Sequence, residues 1–409
     1  MNRVTTAHKW QFAPRFRRQA FGWRSDTPIR RIKEALSEIK KVARKDPVLA
    51  AQGAISLLEK LSPALEQVDS SSGAIGSAVN KAIETLVPII AKADVDSKTR
   101  QKWLERLWKA LEDDEIPYLE SLADFFGDLC ATPEVASAWA DEFKPTVERV
   151  WSPNADGYGF YKGTSACLSC LHAAGRYEEL LKLLDSARSN IWPDRRWGVK
   201  ALVSLGKIEE ALRYAENSRW ISHYDWQIAQ TCEEILLSIG RDQEAYERYA
   251  IEANQGMTNL AMFRAISKKY PNVSVEKILR DLIASTPGAE GKWFAAAKDA
   301  GFFNIAIDLV KTSPADPRTL TGAARDYADS QPHFALESAT AALHWIAAGY
   351  GYEITALEVF EAHDAIVKAA SNKGLSSAQI IELTQSLFDD RLPNSQFLNG
   401  LLENRLRSA

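Results

Sequence analysis

AGRYEEL at residues 174–180, LGKIEEA at residues 205–211 and IGRDQEA at residues 239–245 are three copies of one phrase. Each copy places a glycine between a small or apolar residue and a polar one, and apolar residues then follow at helical spacing. Weaker copies without the glycine precede Val275 and Phe334. A fourth glycine, Gly301, marks a further copy. Counted over the strong and weak copies together, the phrase recurs about every 30 to 34 residues, a period typical of stacked helix–turn–helix units. The four glycines are Gly175, Gly206, Gly240 and Gly301.

The position of these glycines predicts the connection inside each unit. A glycine in the left-handed conformation lets one helix end and the next return against it without a Cβ clash. Small residues such as Ala201 and Ala229 occur where two helices of a pair are expected to cross. A single pair cannot bury all of its apolar surface, so neighbouring pairs must cover it.

Bulk composition is that of a water-soluble chain. Its 409 residues allow either two or three ordinary domains or one array that grows by repetition. No uncharged apolar stretch reaches the length of a membrane span, and residues 1–25 have no apolar core of a secretory signal. Four cysteines are too few for a disulfide framework in a chain of this length. These features predict a cytoplasmic protein that does not enter a membrane.

Helical periodicity is also present before the repeats. Thr27 and Pro28 indicate a helix start, Asp46-Pro47 starts a second helix with an end near Pro63, and a further helix is predicted over residues 116–130. Alternation with a period of two residues, which strands require, is nearly absent. The sequence predicts an all-α fold, a right-handed α-solenoid of helical hairpins with an irregular, HEAT-like N-terminal region and a helical C-terminal cap.

Changes in these patterns predict the domain boundaries. Residues 1–25 form a basic, aromatic-rich arm, and residues 26–151 form the HEAT-like region. Residues 152–159 read SPNADGYG and are predicted to be a linker, because Pro, Asn, Asp and Gly each disfavour a helix. About six hairpins occupy residues 160–342. Residues 343–409 keep the helical period without the phrase, as expected of a terminal cap.

The hairpin segment resembles the tetratricopeptide-like superfamily of helical repeats, on the stretches GRYEELL at residues 175–181 and GKIEEAL at residues 206–212. The variable step and the missing Trp, Tyr and Pro signature positions make it TPR-like rather than a strict TPR array. The whole chain is also similar to a family of bacterial helical-repeat proteins with no assigned activity. That second resemblance, which implies a bacterial cytosolic origin, is carried by FRRQAFGWRS at residues 16–25, GKWFAAAKDAG at residues 291–301 and GYGYE at residues 349–353.

No motif of this sequence predicts catalysis. Cys167, Cys170 and His172 could supply three of the four ligands of zinc, but no second pair stands at finger spacing and helical cysteines are more often small core residues. The six histidines form no nucleophile elbow, His-Glu-x-x-His helix or triad spacing. We therefore expect a protein that is not an enzyme and has no metal or cofactor.

The first helices of the hairpins carry a row of cations. The TPR-like resemblance implies that these helices line a concave groove, where cations would pair with the carboxylates of an acidic peptide or the C-terminus of a protein partner. The simpler alternatives are a solvated face for the cations and a core position for the tryptophans. The sequence thus predicts an interaction scaffold. Its predicted groove residues are Arg196, Trp197, Lys200, Asn259, Arg264, Lys268, Lys292, Trp293, Arg318 and Arg325.

The basic arm leaves several possibilities open. Residues 1–45 hold thirteen Lys and Arg against three acidic residues, although the whole chain has a net charge of −4. The arm could bind nucleic acid, with arginines on phosphates and aromatic rings on bases. It could equally fold back on the acidic body or dock on a partner. Residues 1–25, which are Arg-rich and contain no acid, also fit a mitochondrial presequence. The predicted arm residues are Arg15, Arg17, Arg18, Trp23, Arg24, Arg30 and Arg31.

Overall fold

The computed structural model describes residues 8–152, 160–187, 190–219, 224–387 and 391–408. Within these ranges the chain forms 21 α-helices, three short 3-10 helices and no β-strand, which confirms the predicted all-α fold. The helices group into two compact units, Met1–Ile228 and Ala229–Ala409. Seven of the eight residues of the predicted linker, 153–159, lie outside the described residues.

Residues 8–152 of the first unit contain six α-helices, and three of their starts are set by side-chain caps. Asp46 accepts a hydrogen bond from the backbone of Leu49, Asp96 from Thr99 and Thr132 from Val135. The predicted helix end near Pro63 is wrong by two residues, because Pro63 lies inside the second helix, which ends at Leu65. The helices are α1 (Asp26–Ala43), α2 (Pro47–Leu65), α3 (Ala74–Ala91), α4 (Ser97–Glu112), α5 (Phe126–Cys130) and α6 (Pro133–Trp151).

The single helix predicted over residues 116–130 is also wrong. A loop and the 3-10 helix Glu120–Phe125 precede α5, and Ala131 ends α5 in the left-handed conformation. The carboxylate of Asp114 accepts a hydrogen bond of 2.6 Å from the backbone of Leu119, which holds the loop in place. Apolar spacing alone does not distinguish a short 3-10 helix from the first turns of an α-helix.

Six helix–turn–helix pairs follow in the described part of the chain and confirm the predicted hairpins. At the corner of the second pair, Gly206 has a φ of 75°, and the backbone of Lys207 donates to the carbonyl of Leu202 at 2.9 Å. This is the left-handed helix ending that the phrase predicts, and Gly175, Gly240 and Gly301 repeat it. The pairs are α7 (Thr164–Ala173) with α8 (Tyr177–Asp185), α9 (Trp192–Ser204) with α10 (Ile208–Glu216), α11 (Asp225–Ser238) with α12 (Asp242–Ala253), α13 (Asn259–Lys269) with α14 (Val275–Ala284), α15 (Phe294–Asp299) with α16 (Phe303–Thr312), and α17 (Pro317–Tyr327) with α18 (Pro332–Ala347).

Successive hairpins pack through their first helices. In the first unit α7 contacts α9, and in the second unit α13 contacts α15. This is the packing of an α-solenoid, in which each pair covers the apolar face of its neighbour. Over the described residues after α18, three more helices follow, and the predicted start of the cap at Leu343 lies inside α18. They are α19 (Ala356–Asn372), α20 (Ser377–Ser386) and α21 (Ser395–Ser408).

Aromatic side chains fill the core of each unit. Phe126 and Phe143 pack with their ring centroids 5.6 Å apart in the first unit, and α5 approaches α7 so closely that a Cβ on Gly127 would lie 2.3 Å from the carbonyl oxygen of Ser169. In the second unit Phe294 stacks on Phe334 at 5.8 Å. These contacts fix the positions of the helices that carry the surfaces described below.

One helix in the described part of the chain, α3, is long and apolar enough to cross a membrane by length and composition. Its apolar face, with Ile83 and Leu86, is buried in the core of the first unit, where α3 packs against α1 and α2. Lys81 and Glu84 form an ion pair on its exposed face. A core helix of a water-soluble protein passes the same test of length and composition.

Candidate functional site

A groove of about 680 Å³ opens on the second unit where three first helices begin. It lies between the starts of α13 and α17, the 3-10 helix Glu290–Trp293 with α15, and the loop that contains Tyr350 and Gly351. We call it the 258–351 groove, after the first and last residues of its lining. Its wall is mainly apolar, with Leu260, Phe294 and Pro314, and its polar side chains include Asn259 and Lys292.

The floor of the 258–351 groove is held by close packing around Gly291. A Cβ on Gly291 would lie 2.3 Å from the carbonyl oxygen of Pro314, so only glycine lets the 3-10 helix approach the chain before α17. Trp293 also holds the 3-10 helix in place, because it is 2% exposed and its indole donates to the Thr286 hydroxyl at 2.8 Å. The groove is therefore a preformed part of the fold.

Helix capping uses some of the polar groups of the groove. The Thr258 hydroxyl accepts from the backbone of Ala261 at 3.3 Å, and the Asp316 carboxylate accepts from the backbone of Thr319 at 2.9 Å. The Asn259 amide and the exposed Lys292 ammonium have no hydrogen-bond or ion-pair partner among the described side chains. Asn259 and Lys292 are thus the polar side chains of the groove that are available to a ligand.

Exposed apolar side chains adjoin the groove. Tyr350, in its lining, is 46% exposed and packs edge-on against Trp345 with ring centroids 5.3 Å apart. Tyr352 and Met257, next to lining residues in the chain, are also exposed. Exposed aromatic residues and methionine are enriched at protein–protein interfaces. The surroundings of the groove therefore have the composition of a contact surface.

Most of the other predicted groove cations pair with acids of this chain. Arg264 forms a bidentate pair with Asp299, and Arg318 pairs with Glu358 at 2.6 Å. Arg325 lies beside Asp326, and Lys268 is exposed on the last turn of α13. None of these four side chains lines the 258–351 groove within the described part of the chain.

Three predicted groove residues belong to the first unit. Arg196 pairs with Asp124 at 2.5 Å, and the ammonium of Lys200 lies 4.1 Å from the ring centroid of Trp197. Trp197 is 4% exposed. Trp197 and Trp293 are therefore core residues and do not present their indoles to a partner, which corrects the expectation that they anchor one.

The arm is packed on the first unit over its described part, residues 8–25. Phe12, Phe16 and Phe21 are buried, and the Trp10 ring occupies the space beside Gly53, where an added Cβ would lie 2.2 Å from it. The backbone of Phe12 donates to the carboxylate of Glu38 at 3.1 Å. Of the alternatives that the sequence leaves open, the structure shows the arm folded back on the body.

Several arginines of the arm region also pair with the body. Arg15 reaches Glu34 at 2.9 Å and Arg18 reaches Glu66 at 2.9 Å. Arg31, with Arg30 and Arg15, holds the pKa of the Glu34 carboxyl below its ordinary value. Arg17, Arg24 and Trp23 remain exposed. Base stacking by the three buried phenylalanines is excluded, so the structure does not support the nucleic-acid alternative.

The thiols of the Cys167-x-x-Cys170 pair lie in the core. Burial raises the pKa of the Cys167 thiol to about 12, and burial together with the neighbouring Cys130 raises the pKa of Cys170. The His172 ring lies 3.3 Å from the Ser204 hydroxyl and packs on Trp197. Thiolates are the form that metals bind. No group of three metal-binding side chains occurs among the described residues.

The helices and the groove together define a protein of helical-hairpin repeats. No protein-family model matches the chain, and no curated protein matches it. Among solved structures, it is similar to a chain of the APC/C hetero-tetramer Cut9-Hcn1, with 13% identity, coverage of 89% of this chain and 74% of that chain, and a TM-score of 0.25. It is also similar to a circular tandem repeat protein with novel repeat topology and enhanced subunit contact surfaces. That likeness has 12% identity, covers 93% of this chain and 89% of that chain, and has a TM-score of 0.17.

Proposed function

We propose that this protein is a non-enzymatic scaffold for protein–protein interaction, and that the 258–351 groove binds an extended peptide segment of its partner. The observation that carries the proposal is a pair of side chains, Asn259 and Lys292, that have no partner within the described ranges and lie in an open groove with an apolar wall. The recurring phrase at Gly175, Gly206 and Gly240 supports assignment of the hairpins to the TPR-like superfamily. The resemblance of the whole chain to bacterial helical-repeat proteins supports a cytoplasmic location.

The groove side chains specify the chemistry of the peptide. The Asn259 amide has both donors and acceptors, so it can pair with the N–H and C=O groups of an extended backbone. Lys292 supplies a positive charge for a carboxylate, from an acidic side chain or a C-terminus. Leu260 and the exposed Tyr350 provide contact for an apolar side chain of the peptide. The expected ligand is a segment with an acidic group next to an apolar residue.

Site-specific photo-crosslinking in the native host tests this proposal. A photoreactive phenylalanine at position 259 is expected to yield a discrete crosslinked partner. The same group at position 298, on α15 but outside the groove lining, is expected to yield none. The absence of a crosslink at position 259, or equal crosslinking at both positions, would contradict a peptide-binding groove.

Binding of a synthetic peptide then tests the role of Lys292. The peptide comes from the crosslinked region of the partner, and its affinity for the purified chain is measured by fluorescence anisotropy. Lys292→Ala is expected to weaken binding by about fivefold, because a partly exposed ion pair contributes about 1 kcal/mol. Lys298→Ala is the matched control and should leave the affinity unchanged. Equal affinities for the wild type and Lys292→Ala would refute the charge pairing.

A further inference from the structure

A second cavity, of about 390 Å³, lies entirely within the first unit. It is bordered by the end of α4, the loop and 3-10 helix that follow, the end of α6, the starts of α7 and α9, and the residue before α11. Trp151, Tyr161 and Tyr224 contribute aromatic walls, and the exposed Phe160 lies in the lining. The volume falls within the range of about 300–1,000 Å³ that small-ligand sites occupy. We call it the Asp194 pocket.

Asp194, on the first turn of α9, lines this pocket with its side chain almost fully buried. It is 8% exposed, and its carboxyl makes no hydrogen bond or ion pair with any described residue. Burial raises the pKa of this carboxyl to about 6, partly offset by the charge of Arg196. A buried acid without a partner is costly for a fold, and such groups concentrate at functional sites.

A second polar atom of the same lining has no hydrogen-bond partner among the described residues. This atom is the buried hydroxyl oxygen of Thr164, at the start of α7, which accepts and donates no hydrogen bond within the described ranges. Asp114, also buried in the lining, has a pKa raised by burial. Buried polar groups are nearly always hydrogen-bonded in folded proteins. Unsatisfied groups on two different elements that face one cavity therefore indicate a ligand that satisfies them.

The charges around the pocket favour a cation. Within the described residues, the lining contains one base, Lys162, and three acids, Asp114, Glu120 and Asp194. The ammonium of Lys162 is committed to the end of α4, because it donates to the carbonyls of Glu112 at 3.2 Å and Asp114 at 2.7 Å. Carboxylates would repel an anion, whereas aromatic faces attract an organic cation through their quadrupole.

We propose that the Asp194 pocket binds an alkylammonium group, with the charge against the Asp194 carboxylate and the Thr164 hydroxyl, and with the apolar stem against Trp151, Tyr161 and Tyr224. An ammonium has three donors, enough to satisfy both oxygen-bearing side chains at once. The group belongs either to a free organic amine or to a lysine side chain of another protein. This site is independent of the 258–351 groove, which lies in the second unit.

Isothermal titration of the purified full-length chain with n-butylammonium tests the site. Saturable binding of one equivalent is expected, at least about tenfold tighter than that of 1-butanol, because a hydrogen bond to a charged group contributes about 1.5–3 kcal/mol. Butyrate, the anion of matched length, should not bind. Equal binding of butylammonium and 1-butanol, or no saturable binding of butylammonium, would overturn the proposal without any substitution in the chain.

Asp194→Asn locates the binding within the pocket. The substitution should weaken butylammonium binding at least about tenfold and abolish the rise in melting temperature that the ligand causes in the wild type. Asp128→Asn removes the same charge from an exposed residue of the first unit outside the lining, and should bind like the wild type. Unchanged affinity in Asp194→Asn, or an equal loss in both variants, would refute the site.

A second titration separates the two sources of the ammonium. N-acetyl-lysine methylamide carries the same group on a peptide backbone. Tighter binding of this compound than of butylammonium would assign the pocket to a lysine of a partner protein. Tighter binding of butylammonium would assign it to a free amine. Both results require Asp194 and support the alkylammonium site, whereas binding of neither compound refutes it.

Discussion

The hydroxyl of Tyr270 donates a hydrogen bond of 2.6 Å to the carboxylate of Glu233, a side chain with no exposed surface. Lys269 contributes an ion pair at 2.7 Å, and the Asn254 amide donates to the same carboxylate at 3.3 Å. Glu233 lies on α11, Asn254 follows α12, and Lys269 ends α13. One buried acid therefore links one hairpin of the second unit to the next. Burial of Tyr270 and its hydrogen bond to Glu233 raise the pKa of the Tyr270 hydroxyl.

Loss of the lysine from this cluster should destabilise the second unit. Lys269→Met leaves the charge of Glu233 buried with only neutral donors, and we expect the free energy of unfolding in urea to fall by about 3 kcal/mol. Arg280→Met breaks the exposed pair of Arg280 with Glu276 and is the control, with an expected loss below about 1 kcal/mol. Equal losses in the two variants would show that burial of Glu233 has no special cost.

Removal of the charge of Asp194 should stabilise the fold while it removes ligand binding. Because its pKa is raised from 3.8 to about 6, the ionised carboxylate opposes folding, and this cost is complete above about pH 6 and disappears as the pH falls toward 4. Asp194→Asn should therefore raise the free energy of unfolding at pH 7 by up to about 3 kcal/mol. Urea denaturation at pH 4 should show little difference. A gain that is equal at both values of pH would contradict the assigned ionisation.

A methyl group at Gly291 should deform the 258–351 groove. Gly291→Ala places a Cβ against the backbone of Pro314, and we expect a loss of about 1–3 kcal/mol together with weaker peptide binding. Gly322→Ala is the matched control, because a Cβ at that position on α17 meets nothing within 4 Å. That change should stabilise the helix by up to about 1 kcal/mol. Thermal denaturation of both variants decides the comparison, and a destabilised Gly322→Ala or an unaffected Gly291→Ala would count against it.

The docked arm should contribute to the stability of the first unit. Phe16 is buried between Phe12 and Phe21, so Phe16→Ala should lower the free energy of unfolding by about 3–5 kcal/mol. Trp23 is 72% exposed, and Trp23→Ala should change the free energy of unfolding by less than about 0.5 kcal/mol. Both values come from urea denaturation followed by circular dichroism. Similar small effects of the two substitutions would mean that the arm is free in solution.

Local sequence signals predicted helix ends well where the residues that determine the end are close to it in the chain. The corner at Gly206 needs only a residue without a Cβ, and the starts after Asp96 and Thr132 need only a nearby oxygen acceptor. The helix over residues 116–130 was predicted wrongly because apolar spacing does not show that Asp114 would hold a loop there. Pro63 was misread as a helix end, although a helix can continue through a proline when its surroundings stabilise it.

The candidate sites show the same limit more strongly. Asn259 and Lys292, which were predicted to bind a partner, line the 258–351 groove, and their role in binding stays a prediction. Arg264 and Arg318 lie outside it and pair with acids about one repeat further along the chain, at Asp299 and Glu358. Asp194 was not predicted at all, because an acid in the first turn of a helix is ordinarily a solvated residue that favours the helix dipole. Burial alone distinguishes Asp194 from such a solvated acid.

The all-α class, the hairpin period and the corners at the repeated glycines follow from the order of amino acids alone, because each depends on residues within a few positions of one another. Tertiary structure decided which charges remain available and which are neutralised, and which tryptophans are core. It also placed on one cavity Asp194 and Thr164, whose side chains have no hydrogen-bond partner in the part of the chain that the structure describes. Those properties depend on which distant side chains share a surface, and the free energy of a charge or a ring is set by that surface rather than by its neighbours in the chain.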